Sequence, residues 1–184
     1  SYELDKDVPI YFISSEVIIG KFWNDPDLYN HLDEVIEQKN INIVIPFVDK
    51  ATIVAATLKE YRSDIFIASS NLFWSKLFFN KIKANDWCVT NKISVPSNNT
   101  HKFPLIAKPV NGSASKGLQI IENKDQLSDV NLGENLVQKF IIGKEYTVDC
   151  YISLKGEILS ITPRERLETQ GGESIKSLTI KSSL

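Results

Sequence analysis

The sequence predicts an α/β protein that becomes α+β toward its C-terminus, and two patterns carry that prediction. Residues 41–48 are almost continuously apolar and residues 65–68 form a second such run, with helical sequence over 51–61 between them. That order suits a doubly wound parallel layer buried on both faces. Residues 146–154 and 157–162 instead alternate in polarity around Lys155-Gly156, the pattern of an antiparallel hairpin. With 184 residues, 42% of them apolar, the chain can build one large core or two small ones.

Taken in order, residues 10–13 are expected as a short strand. Asn24-Asp25-Pro26 reads as a helix start, with Asp25 as N-cap and Pro26 at the first helical position. Leu28, Leu32, Val35 and Ile36 then fall on one face of that helix. Asp49 closes the 41–48 strand at the carboxyl edge, where open α/β sheets place ligands; capping the helix over 51–61 is an equal use of its carboxylate. From 71 to about 91 the pattern is helical again, with Leu72, Phe73, Leu77, Phe78, Trp87 and Val89 as core members and Asn80-Lys81 inside it. Residues 93–96 end that region, and 97–102 form a polar linker with a boundary near it. Strands are expected around Lys108, over 118–121 and from 135 to 141, with a short helix over 125–130. Pro163-Arg164-Glu165-Arg166 should lie just after the 157–162 strand, and Gly171-Gly172 before a last strand over 173–180.

Composition narrows the function. A net charge of −2 and a pI near 5.7 give no general affinity for nucleic acid or an anionic membrane. Residues 1–8 are too charged for a signal peptide, and no apolar run approaches the roughly 20 residues of a bilayer span, so a cytoplasmic protein is expected. Cys88, Cys150, His31 and His101 lack metal-ligand spacing and read as structural residues. The chain contains no methionine, even at position 1. Either residue 1 is not the natural N-terminus or methionines in a modified form are missing from the sequence.

The segment 103–117, Phe-Pro-Leu-Ile-Ala-Lys-Pro-Val-Asn-Gly-Ser-Ala-Ser-Lys-Gly, concentrates the chemistry. Leu105, Ile106, Ala107 and Val110 make an apolar run that delivers Lys108 beside the loop 111–117. Small residues such as Gly112 and Gly117 let backbone N–H groups approach oxygens, Ser113 and Ser115 add hydroxyls, and Lys108 and Lys116 neutralise charge. A polyphosphate suits that combination, and so does a plain hairpin loop with solvated lysines. Neither the Walker spacing nor Gly-x-Gly-x-x-Gly occurs here.

Five pieces in order then carry a resemblance. They are Asn80-Lys81; the strand 104–109 with its loop 112–117; the hinge Val137-Gln-Lys-Phe-Ile141; Gly143-Lys-Glu-Tyr-Thr-Val-Asp149; and Pro163-Arg-Glu-Arg166 with Gly171-Gly-Glu-Ser174. Together they resemble the ATP-grasp superfamily, within it the ligases that look like the large subunit of carbamoyl-phosphate synthase. The resemblance implies a Rossmann-like pre-ATP-grasp domain over 1–79 and a partial ATP-grasp domain over 80–184. Within the second, 80–138 would hold the connecting helix and lid subdomain, and 139–184 the start of the C-terminal subdomain.

By the resemblance, ATP lies between two subdomains. Lys108 and Lys81 would contact its phosphates under a flap formed by Gly112, Ser113, Ser115, Lys116 and Gly117. The usual aspartate before the second lysine is Asn80 here. Gln138, Phe140 and Ile141 match the adenine hinge; the family often has Glu where Gln138 stands, and an amide oxygen can also accept from the adenine amino group. Glu145 matches the ribose acid. Arg164 and Arg166, two apart on one strand face, match cations that hold the γ-phosphate or a carboxylate; an arginine ladder paired with Glu165 and Glu168 is their plainer reading.

The implied reaction activates a carboxylate or bicarbonate as an acyl phosphate, which an amine or ammonia then attacks. No metal ligand is assigned within the chain: the family's Mg²⁺ acids are expected beyond residue 184, so the sequence reads as a portion of a longer ligase, inactive alone. Charge and hydropathy call for neither a nucleic acid nor a membrane partner, and a homodimer stays open as an assembly. The alternative function is a non-catalytic nucleotide-binding or assembly module.

Overall fold

Described over residues 1–99 and 101–181, the computed structural model divides the chain into two units, Ser1–Phe79 and Asn80–Leu184. In the first, strand β1 (Tyr2–Glu3) pairs in parallel with β2 (Ile18–Ile19). The expected strand over 10–13 is instead a 3-10 helix, Pro9–Phe12. Pro9 stands at its start, where a fixed φ and a missing N–H suit a first helical turn.

Helix α1 (Leu28–Gln38) begins two residues later than Pro26. Asp25 spends its side chain on a turn, with Oδ1 accepting from Asp27 N at 2.9 Å, as Asx turns do. The apolar stripe behaves as expected: Leu28 and Ile36 are buried, and Leu32 packs against a core of Ala55, Leu58 and Ile67.

Strand β3 (Ile43–Val44) and strand β4 (Phe66–Ile67) pair in parallel, joined through helix α2 (Asp49–Lys59). That is the expected βαβ order, but the run 41–48 is not buried on both faces. Val44 and Ile67 turn to the helix-covered core, whereas Ile43, Ile45 and Phe47 are 55%, 55% and 89% exposed. A pleated strand alternates its side chains, and helices cover one face of this short ladder. Asp49 is the first residue of α2, not its cap, and its charge sits where the helix dipole favours an anion.

The single helical region expected over 71–91 divides into α3 (Leu72–Phe79) and α4 (Lys81–Thr90). Asn80 is the reason: its Oδ1 accepts from Lys83 N at 3.0 Å, an N-cap that starts a new helix. Phe73, Phe78 and Val89, expected in the core, are more than half exposed.

In the second unit β5 (Leu105–Pro109) lies between β6 (Gln119–Ile121) and β7 (Asn135–Lys139), antiparallel to both. Leu105, Ala107, Ile121 and Val137 form its core, with Phe103, Leu127 and Val130 against them. Helix α5 (Lys124–Ser128) is capped by Asn123. The second sheet is a meander of β8 (Tyr146–Ile152), β9 (Ile158–Gln170) and β10 (Glu173–Thr179). Arg164 and Arg166 therefore lie inside β9, not after it. Pro163 withholds an N–H, but its carbonyl accepts from Ile180 N at 3.1 Å and the pairing with β8 continues past it.

Candidate functional site

Lys108 is the fourth residue of β5 and stands opposite Leu136 of β7. It is half-buried, and its Nζ donates to Gln138 Oε1 at 3.2 Å. Burial, then the neighbouring Lys81, push its ammonium pKa down, while Glu145 opposes them. Two cations brought together against desolvation, the inner one bonded to a neutral oxygen, make a place for an anion.

Lys81 opens α4, and its backbone and side chain both reach the Lys108 segment. Its N–H donates to Val110 O at 2.9 Å and its Nζ to Gly112 O at 2.6 Å. The helix start thereby holds the first residue of the Gly/Ser loop. Gly112 has φ 134° and Gly117 φ 75°, and Ala114 and Ser115 also adopt left-handed backbone at 58° and 54°. Non-glycine residues in that region carry strain. Lys116 N donates to Ser113 O at 3.3 Å, which closes the loop on itself with the Lys116 side chain exposed.

The loop lies against the turn between β9 and β10. A Cβ added at Gly172, where φ is 81°, would fall 2.8 Å from Ser115 N and 2.9 Å from the Ala114 carbonyl carbon. Gly172 O in turn accepts from Arg166 Nη2, and Arg166 Nη1 bonds Glu145 Oε2 at 3.1 Å. The structure thus connects the loop, Arg166 and Glu145 in one cluster, and the Glu145 charge acts on Lys108.

Arg164 lies on the same strand face but is held apart, forked onto Asp149 with Nη2 at 3.1 Å from Oδ1 and bonded to Ser177 Oγ at 3.0 Å. Asp149 keeps its carboxyl below the usual range through Arg164, and Arg164 is raised by Asp149. The arginines do not pair with Glu165 and Glu168, which bond Lys144 and Lys176. Glu165 lies on the opposite face of β9, as a period of two requires.

Gln138 departs from the sequence expectation. The amide assigned to adenine is 3% exposed and committed inside the fold, to Lys108, to Asn85 Oδ1 at 2.9 Å and to Pro96 O at 3.2 Å. Phe140 N donates to Pro104 O at 3.1 Å, and Ile141 is 62% exposed. Sequence reading missed Asn85, Asp149 as the partner of Arg164, and Gly172 as the seat of the loop. For Asn85 a signal existed: it stands four residues after Lys81 on one helix, hence on the same face.

Among the described residues no group of three or more His, Cys, Asp or Glu side chains could hold a metal ion. Asp149 and Glu145 are each paired with an arginine and neither belongs to a cluster of acids, so the described donors do not fit Mg²⁺. Also among the described residues, no helix is long and apolar enough to cross a membrane.

Residues 77–178 match the family described as ATP-grasp domain, and the chain belongs to that family. A D-alanine–D-alanine ligase of Petrotoga mobilis is 32% identical over 119 residues, 59% of this chain and 38% of the relative. Another, from Fusobacterium nucleatum, is 35% identical over 74 residues, 39% of this chain and 25% of the relative. The chain therefore spans well under half the length of either. Among solved structures, the biotin carboxylase domain of Hydrogenobacter thermophilus 2-oxoglutarate carboxylase, in complex with MgADP, ADP and bicarbonate, superposes with a TM-score of 0.71 at 12% identity over 94% of this chain and 45% of its own. N5-carboxyaminoimidazole ribonucleotide synthetase from Thermotoga maritima gives 0.64 at 19% identity, over 85% of this chain and 43% of its own. At these identities the likeness is one of fold, mixed α/β as expected.

Proposed function

We propose that this chain is the nucleotide-binding part of an ATP-dependent ligase that joins a carboxylate, or bicarbonate, to an amine or ammonia. One observation carries the reading: half-buried Lys108 beside Lys81, its ammonium bonded to a neutral amide oxygen with Glu145 as the facing anion, leaves positive charge in excess next to a Gly/Ser loop that Lys81 holds. A polyphosphate supplies the missing anion. In this reading residues 1–79 precede the grasp, 80–138 form the lid part and 139–184 begin the second subdomain.

Lys108 and Lys81 hold phosphate oxygens, and the loop from Gly112 to Gly117 excludes water above them. The hinge through Phe140 and Ile141 takes the base. Glu145 and Arg166, bonded to one another at 3.1 Å, exchange that contact for ribose hydroxyls and for a γ-phosphate or carboxylate oxygen; Arg164 is the second candidate for the latter. Transfer of the γ-phosphoryl group to the carboxylate releases ADP and gives an acyl phosphate, and attack by the amine nitrogen at its carbonyl carbon forms the C–N bond as phosphate leaves and the nitrogen gives up a proton. The positions of charge, more than any covalent role, are what the chain contributes.

The curated relatives support the ligase class. A closer kinship with carbamoyl-phosphate synthase large subunits rests on the motif order over residues 80–174. Calorimetry with MgATP tests the reading. Lys108→Ala should weaken binding about 10- to 100-fold, the scale of a lost charged hydrogen bond, with the melting temperature little changed because the lysine is itself desolvated. Near-parent affinity would overturn the assignment. ATP and ADP binding alike without Mg²⁺ would favour the non-catalytic module instead.

A further inference from the structure

The amide of Gln138 is held on both sides. Its Nε2 donates to Asn85 Oδ1 at 2.9 Å and to Pro96 O at 3.2 Å, while its Oε1 accepts from Lys108 Nζ at 3.2 Å. A primary amide has one acceptor end and one donor end, and a half-turn exchanges them. Turned, Gln138 would aim its NH₂ at an ammonium and its oxygen at the Pro96 carbonyl, and would also oppose the Asn85 oxygen, which stays facing it because Asn85 Nδ2 donates to Asp86 Oδ1 at 3.4 Å. Gln138 and Asn85 are 3% and 6% exposed, and burial leaves little water to soften the wrong orientation.

We infer that Asn85 is a positioning residue of the phosphate subsite: its side-chain oxygen fixes the Gln138 amide so that a neutral acceptor, not a carboxylate, holds Lys108 toward the loop. The inference rests on the nucleotide reading above. A neutral acceptor orients the ammonium without cancelling its charge, which an acid at position 138 would do. Asn85 touches no ligand and acts through two intervening side chains. The titratable groups facing Lys108 are Lys81 and Glu145, and changing Asn85 alters neither.

The test compares Asn85→Leu, Asn85→Ala and Lys108→Ala on the protein, with MgATP followed by calorimetry and adenosine by NMR titration. Asn85→Leu should weaken MgATP about five- to tenfold, the scale of one buried hydrogen bond, and move the alkaline loss of binding to lower pH. Adenosine affinity should stay within about twofold, since the adenosine part does not contact the ammonium. Asn85→Ala, which also removes the acceptor oxygen but adds no charge, should weaken MgATP on the same scale. Unchanged MgATP affinity in Asn85→Leu, where Lys108→Ala loses it, overturns the positioning role alone. Equal losses for MgATP and adenosine overturn it as well, because a general disturbance of the fold would produce them. If Lys108→Ala itself leaves MgATP affinity intact, the nucleotide reading falls and the inference with it. Should Asn85→Leu not fold, Asn85→Ala decides, and MgATP affinity within about twofold of the parent in that variant overturns the proposal.

Discussion

The two three-stranded sheets of the second unit are built on different physics. In the sheet of β5, β6 and β7, Leu105 and Ala107 are fully buried, Ile121 and Val137 nearly so, and a polar residue, Gln138, is sealed on the opposite face, beside Lys108 and Asn85. In the meander of β8, β9 and β10 no described residue is buried, and Val148, Ile158, Leu159 and Ile175 are half-exposed or more. Backbone ladders and cross-strand ion pairs hold the meander, directly opposite for Arg166–Glu145 and diagonal for Arg164–Asp149. A buried sheet can fix a side chain to a single orientation, as it does for Lys108. An open one leaves its charges free to change partners, which suits residues that must meet a ligand.

The sharpest way to break this comparison is to cut a buried and an exposed side chain to the same size. Leu105→Ala, at 0% exposure, should cost about 2–5 kcal/mol in chemical denaturation. Ile161→Ala in β9, at 44% exposure, should cost less than about 1 kcal/mol. Equal losses would show that the meander carries a core of its own. The smallest effect concerns acid. Arg164 lowers the Asp149 carboxyl below its ordinary 3.8, so that pair contributes stability above this value and loses it as pH falls through the lower folded value. Thermal melts of Asp149→Asn between pH 5 and pH 2, a range chosen to bracket ordinary carboxylate titration, should show a shallower acid decline than the parent. An identical decline would mean the pair adds nothing to folding.

Legibility in the sequence followed the same division. Lys108 and Gln138 lie in short apolar runs whose strand period is plain, and both strands form where expected. The hairpin at Lys155-Gly156 was equally readable, with Gly156 at φ 83°. The partners of Gln138 were not, because Asn85 is 53 residues away in sequence and nothing local announces the contact. Asp149 could be counted as an acid but not assigned to Arg164, since the diagonal pairing depends on register. The run over 41–48 misled in the other direction: uninterrupted apolarity predicts two covered faces, and the two-residue ladder of β3 and β4 has one.

Gly172 has a use of its own. Its α-carbon sits so close to the Ser115 backbone that only hydrogen fits between them, and the chain has only eight glycines, whose amide nitrogens resonate apart from those of other residues. The Gly172 resonance is therefore a built-in gauge: a movement of the 112–117 loop would alter its magnetic surroundings and could be followed in a nitrogen-labelled sample without attaching a probe to the loop.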